Sequence, residues 1–276
     1  MISSMSGQRS RYHAQSRNIK KKQAEKLMLS GQRKQAILAL LASEKQVQSR
    51  DLSQRFGVSE DSVRRDLREM AAEGLLQRVH GGALPVSAAL AGFETRKSVQ
   101  TDSKRAIAQK AVALIQPGQI VLIDGGTTSA ELVRLLPATL DFTAVTHSPS
   151  VALALAEHPR VEVILIGGQL YKHSVVAVGA AMLESINRIN ADLFFMGVTG
   201  VHPAAGFTTG NFEEATVKRA LAGRAAETVV MASAEKLNSA SAFAIGDLSL
   251  ASTLVIDTPP GEPLRQALTA HGVTLI

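Results

Sequence analysis

The chain has 276 residues, 45% of them apolar and 20% charged, which suits one large or two ordinary domains with a sizeable core. The absence of cysteine excludes a disulfide scaffold, a thiolate nucleophile and Cys-ligated metal sites, and no apolar run reaches the roughly 18 residues a membrane span needs. The net charge of +6 is uneven: residues 1–88 hold 16 Lys and Arg against 8 Asp and Glu, and residues 89–276 hold 14 against 16. A basic front half suggests an anionic partner for that half alone, nucleic acid being the commonest and a solvated basic tail the plain alternative. Aromatic residues are only 4% and Trp is absent, so base-stacking platforms are not expected.

Residues 1–24 carry no acid and include Arg9, Arg11, Arg17, Lys20, Lys21 and Lys22. They lack the apolar stretch of a secretory signal and resemble a transit peptide only loosely. Residues 1–32 are therefore read as a basic flexible arm, and the cytoplasm is the expected compartment.

Residues 33–88 are read as a winged helix-turn-helix. Ile37, Leu38, Leu40 and Leu41 give a first helix an apolar face. Ser49 is placed to cap a second helix through Leu52 and Phe56, which Gly57 breaks. Ser59 is a good cap for a third, with Glu60 and Asp61 in its first turn. There Val63, Leu67 and Met70 recur at i, i+4 and i+7, one stripe at helical period. Arg64, Arg65 and Arg68 fall on the far side, with Asp61 among them, four residues before Arg65. Arginine can chelate guanine O6 and N7, and Asp61 can accept from cytosine N4 or hold Arg65 in register. A solvated helix face is the plain alternative. Two short strands around Gly81-Gly82 read as a wing carrying Arg78 and His80; His80 can instead only shape the turn.

The run Val58-Ser59, Val63-Arg64-Arg65-Asp66-Leu67, Gly74 and Arg78-Val79-His80-Gly81-Gly82-Ala83 resembles the DNA-binding signature of the DeoR family of bacterial transcription regulators. Ser62 stands where that family more often has Thr, which keeps a hydroxyl. Double-stranded DNA is the expected partner, through Ser49, Ser59, Asp61, Ser62, Arg64, Arg65, Arg68, Arg78 and His80.

Residues 84–103 are rich in Ala, Ser and small polar residues, and 89–103 are read as a linker. In residues 104–276, apolar runs of strand length alternate with helices. Strands are expected at 120–124, 142–146, 161–166, 175–178, 193–198, 228–232, 253–257 and 273–276. Helices are expected at 103–115, 128–136, 150–157, 180–189, 213–225 and 264–271. This pattern predicts an α/β domain with a mainly parallel sheet covered on both faces, whose ligands bind at the carboxyl ends of the strands.

Polar groups collect at those ends. Asp124-Gly125-Gly126-Thr127-Thr128-Ser129 passes from strand to helix, with glycines that let backbone N–H groups approach an anion and hydroxyls at a helix N-terminus. An ordinary capped turn is the alternative. No Lys follows as in a Walker A loop, and GxGxxG is absent. Thr146-His147-Ser148, Ile166-Gly167-Gly168 and Val198-Thr199-Gly200 lie at other ends. Lys218 can pair with phosphate or sit on a solvated face. The seven histidines show no ligand spacing and no metal site is read; Ser148 and Ser174 lack a nucleophile-elbow context.

This half also resembles the DeoR family, in its sensor domain, with Asp124 to Thr128, Thr146-His147-Ser148, Gly167-Gly168, Asp192-Leu193-Phe194-Phe195, Gly197, Gly206 and Lys218-Arg219 in family order. The resemblance implies a fold related to ribose-5-phosphate isomerase and CoA transferases. It implies a phosphorylated sugar or similar metabolite as effector, bound by Asp124, Gly125, Gly126, Thr127, Thr128, Thr146, His147, Ser148, Gly168, Lys218 and Lys236. Two departures stand out. His147 replaces the usual Asn, and an imidazole is larger and can be charged. Ser233-Ala234-Glu235-Lys236 replaces a segment that tends to begin with Asp. Both weaken transfer of a specific sugar.

The expected function is a sequence-specific regulator, commonly a repressor, working as a homo-oligomer and controlled by that effector, with no cofactor and no membrane partner. Two alternatives stand beside it: a broad architectural DNA binder without an effector, and a sugar-phosphate isomerase using Asp124, Glu213 or Glu214 as base.

Overall fold

The computed structural model describes residues 29–44, 46–79, 81–86, 93–98 and 100–276. The expectations for the basic arm up to residue 28 and for His80 lie outside the described residues. These residues form two compact units that divide between Pro85 and Val86.

In the first unit, α1 (Ser30–Glu44) begins inside the segment read as arm. β1 (Val47–Gln48), α2 (Ser49–Phe56), α3 (Glu60–Ala72), β2 (Leu76–Val79) and β3 (Gly82–Pro85) follow. The expected stripe of Val63, Leu67 and Met70 is buried and packs with Ile37, Leu41, Leu52 and Leu76. Gly57 ends α2 in the left-handed region at φ 64°, where a side chain would be strained. Ser59 caps α3, its hydroxyl accepting the Ser62 N–H at 3.2 Å.

Three features escaped the sequence. Ser49 does not cap α2; it is the first helical residue, and Gln48 holds the cap position. Its N–H donates to Gly81 O at 2.8 Å, tying α2 to the wing. The wing has three antiparallel strands in the order β1-β3-β2, because β1 joins the predicted hairpin. A Cβ at Gly82 would lie 2.0 Å from Val47 O, so only glycine lets β1 close on β3. Asp66, inside the arginine-rich helix, is buried. It accepts from Arg33 Nε at 2.5 Å and from Ser30 Oγ at 2.9 Å, which pins α3 to α1.

The second unit opens with α4 (Phe93–Lys97), a short helix inside the stretch read as linker. Phe93 is buried there and its N–H donates to His173 O at 3.1 Å. α5 (Thr101–Val112), β4 (Ile120–Ile123), α6 (Thr127–Arg134), β5 (Phe142–Thr146), α7 (Pro149–Leu155) and β6 (Val161–Leu165) come next. They are followed by β7 (Gln169–Tyr171), β8 (Val176–Val178), α8 (Ala180–Ile186), β9 (Ala191–Gly197), β10 (Gly200–His202) and β11 (Gly206–Thr209). The chain ends with α9 (Phe212–Ala222), β12 (Ala225–Met231), β13 (Phe243–Gly246), β14 (Thr253–Val255), α10 (Glu262–Ala270) and β15 (Thr274–Leu275).

Seven strands form one parallel sheet in the order β15-β14-β12-β9-β4-β5-β6. Its strands are apolar on both faces because both are covered. Phe194 belongs to the core on one side, Phe195 to the core on the other; Leu122 and its neighbours Val121 and Ile123 divide in the same way. The side chain of Asp192 holds β9 against the start of β4 by accepting the Ile120 N–H at 2.7 Å. From β4 the chain adds β5 and β6 on one side and β9, β12, β14 and β15 on the other, so the strand order reverses between β4 and β9. Such a reversal opens a crevice at the carboxyl ends of the two strands.

The run read as a strand at 175–178 is not in this sheet. It pairs antiparallel with β7, and β10, β11 and β13 form a second small antiparallel sheet. Among the described residues no helix is long and apolar enough to cross a membrane.

Candidate functional site

On α3, Arg64, Arg65, Arg68 and Asp61 are all exposed, opposite the buried stripe, and Arg78 is exposed on β2. Asp61 does not hold Arg65. It lies 3.9 Å from Arg64, whose guanidinium is bonded to Glu60 at 2.8 Å. Helical spacing explains the change: Glu60 and Arg64 are an i, i+4 pair with the acid N-terminal, the favoured orientation. Arg65 and Arg68 have no partner among the described residues, so both reach solvent from one face. The Ser62 hydroxyl is engaged with Ser59 Oγ at 3.0 Å, and Ser49 is buried.

The second site lies at the reversal between β4 and β9. Asp124, just beyond β4, is 0% exposed. Its Oδ1 accepts from Gly125 N at 2.8 Å and faces His147 Nε2 at 3.0 Å; its Oδ2 accepts from Gly197 N at 2.9 Å and from Lys218 Nζ. Burial alone would raise the Asp124 pKa. The Lys218 ammonium and the His147 hydrogen bond outweigh it and hold the carboxyl well below the usual carboxylate range. Four donors fill this carboxylate, so it anchors the loop.

Beside it is a cleft of about 150 Å³. Of the expected effector residues, Gly125, Gly126, Thr127, Thr128, Lys218 and Lys236 line it. Asp124, Thr146, His147, Ser148 and Gly168 do not. Thr146 Oγ1 donates to Ile123 O at 2.7 Å and accepts from Ser148 N, joining β5 to β4. His147 spans Ala177 O, at 2.8 Å, and Asp124, so its replacement of Asn bears on the Asp124 anchor. The Ser148 hydroxyl is taken by Ser150 and Val175 O. Gly168 lets β7 approach β8, since a Cβ there would lie 2.8 Å from Val178 O. Gly125 is required in the cleft wall, where a Cβ would meet Val176 Cγ1 at 2.2 Å.

The acid absent at 233 returns in space: Glu235 reaches back and accepts from Ser233 Oγ at 2.5 Å, ahead of Lys236. Thr199, read at a strand end, lines the cleft, as does Thr209; sequence reasoning missed Tyr171, His173 and Ser174, which reach it from the β7–β8 hairpin. These come from the short antiparallel pieces, which carry no long apolar run.

The start of α6 has no side-chain cap. Its first N–H groups therefore remain open, where they favour an anion. Ser129 lines the cleft and is 1% exposed, and its hydroxyl has no hydrogen-bond partner among the described residues.

A winged helix-turn-helix and a polar cleft at a sheet's switch point, carried by one chain, define a ligand-responsive DNA-binding regulator. Residues 33–88 match the DeoR-like helix-turn-helix domain and residues 99–258 the DeoR C terminal sensor domain. The chain belongs to the DeoR family of transcriptional regulators. The HTH-type transcriptional regulator GlpR of Haloferax volcanii is 35% identical over 253 residues, spanning 90% of this chain and 98% of that protein. The putative aga operon transcriptional repressor of Escherichia coli O157:H7 is 31% identical over 90% of this chain and 93% of that protein. The glycerol-3-phosphate regulon repressor of Escherichia coli K12 is 29% identical over 90% of this chain and 99% of that protein. Among solved structures, ribose 5-phosphate isomerase A from Methanocaldococcus jannaschii aligns over 50% of this chain and 54% of that chain, with a TM-score of 0.37 and 18% identity.

Proposed function

We propose that this protein is a repressor whose operator affinity is set by a phosphorylated sugar or related metabolite held at the start of α6. The observation that carries the reading is Ser129. A buried hydroxyl without a partner among the described residues costs free energy, and Ser129 lines a cleft that also holds an uncapped helix start and two lysines, Lys218 and Lys236. A phosphate would accept from the α6 N–H groups and the Ser129 hydroxyl, with the lysine charges beside it. The names of the aga operon and glycerol-3-phosphate regulon repressors support the same reading. The effector acts by binding the DNA-competent and incompetent states unequally. A homo-oligomer would present α3 to half-sites about 34–36 Å apart.

Two of the three candidate bases speak against an isomerase, since the acceptor sites of Asp124 are filled and Glu213 is exposed outside the cleft lining; Glu214 lines the cleft, and a turnover assay on ribose 5-phosphate, expected to show none, tests it. The direct test is a thermal-shift screen of the full chain against sugar phosphates. A ligand at about 100 times its Kd adds about 2.7 kcal/mol, and at roughly 2–4 °C per kcal/mol the midpoint should rise by about 5–11 °C. If no phosphorylated compound moves the midpoint, the reading fails and the effector-free architectural regulator replaces it.

On the DNA side, Arg65→Ala should weaken operator binding by about 1–3 kcal/mol, roughly 5- to 150-fold, while leaving the melting temperature unchanged. Equal affinity of both proteins for the operator would remove α3 from base recognition.

A further inference from the structure

Glu214 stands in the first turn of α9 and lines the cleft. It is 7% exposed. Its N–H is capped by Asn211 Oδ1 at 3.1 Å, but its carboxylate accepts no hydrogen bond and makes no ion pair among the described residues. Its neighbour Glu213 is exposed and can serve the α9 dipole from solvent. Lys218 is bonded to Asp124, and among the described residues no ion pair joins Glu214 to either lysine of the cleft. A carboxylate that lines the cleft with no protein donor on it among the described residues is open to a donor from a ligand. The cleft thus has two chemically opposite parts. The α6 start offers donors for an anion, and Glu214 offers only acceptors. Its volume of about 150 Å³ is below the roughly 300–1,000 Å³ of drug-sized ligand sites, which suits a short compound.

We propose that Glu214 is the specificity residue of this cleft, accepting a hydroxyl or amino group of a small phosphate monoester and rejecting phosphorylated acids. The inference rests on the phosphate reading above and adds the second half of the ligand. A hydroxyl or ammonium on the ligand fills the open acceptor. A carboxylate in the same place meets a like charge.

The test measures Kd by calorimetry on the full-length protein with matched probes: glycerol 3-phosphate against 3-phosphoglycerate, glucose 6-phosphate against 6-phosphogluconate, glucosamine 6-phosphate for the amine, and inorganic phosphate for the α6 end alone. The wild type should prefer the hydroxylated or amino partner over its acid twin by roughly tenfold or more. Glu214→Gln should reduce that preference to within about threefold, weakening the former and admitting the acid. Inorganic phosphate should bind the variant at least as well as the wild type. Glu214→Asp, which keeps the charge, should still reject acids. A preference unchanged in Glu214→Gln, or an equal loss for every probe, overturns the inference and leaves the phosphate site standing. Failure of every probe, inorganic phosphate included, overturns both.

Discussion

Asp124→Asn should destabilise the protein by about 3–5 kcal/mol at neutral pH, the cost of leaving a buried charge without its partner. Lys218 would keep its buried ammonium while losing the anion that receives it, and the amide would turn a donor toward groups that are themselves donors. At roughly 2–4 °C per kcal/mol, the melting midpoint should fall by about 6–20 °C. The pH dependence gives a second readout. The folded-state pKa of Asp124 is lowered by Lys218 and His147 against the opposing effect of burial. A lowered pKa contributes stability that is present in full above the unfolded carboxylate value of about 3.9 and is lost as pH falls toward the folded value. The gap between wild type and Asp124→Asn should therefore be widest near pH 7 and narrow below about pH 4. A pH series of thermal melts decides the matter. A gap that is small at pH 7, or that widens in acid, would show that Asp124 does not hold the site together.

Asp66→Asn should destabilise the first unit by about 3–5 kcal/mol, the cost of breaking a buried ion pair from one side. The Arg33 guanidinium is buried against Asp66 and would keep its charge when the carboxylate is neutralised. Because Asp66 sits on α3 between residues of the buried stripe, its loss should loosen α3 against α1 and lower operator affinity without touching a base. The double variant Arg33→Met/Asp66→Leu separates the two roles. It removes both charges, and apolar replacement of a buried pair is often neutral or stabilising by about 1–4 kcal/mol. Urea melts should place the double variant well above Asp66→Asn, and its operator affinity should return toward wild type. A double variant as unstable as the single one would mean that the pair contributes through packing shape and not through charge.

These two carboxylates mark where reading the sequence ran out. Asp66 lies in the run Arg64-Arg65-Asp66-Leu67, and by composition it reads as one more polar residue on a charged helix. Helical phase turns it inward beside Leu67, but its partner Arg33 is 33 positions away. Asp124 was legible as part of a phosphate-type loop. Its role as an anchor was not, because Lys218 and Gly197 reach it from 94 and 73 positions away. His147 was legible as a departure from the family, but only the packing of β8 reveals that its ring is held between Ala177 and Asp124.

The sequence by itself determined what local spacing encodes. The apolar stripe at positions 63, 67 and 70 defined α3, Gly57 and Ser59 defined the turn before it, and the continuous apolar strands defined a sheet covered on both faces. Each signal depends on contacts within a few residues or on burial common to a whole element, so one segment suffices to read it. Only the tertiary structure decided which polar groups meet. The reversal between β4 and β9 brings Asp124, Gly197 and Lys218 together, places Ser129 and Glu214 in the lining of one cleft, and leaves Thr146, His147 and Ser148 out of that lining. Pairing over such distances depends on strand order, which side-chain periodicity does not carry.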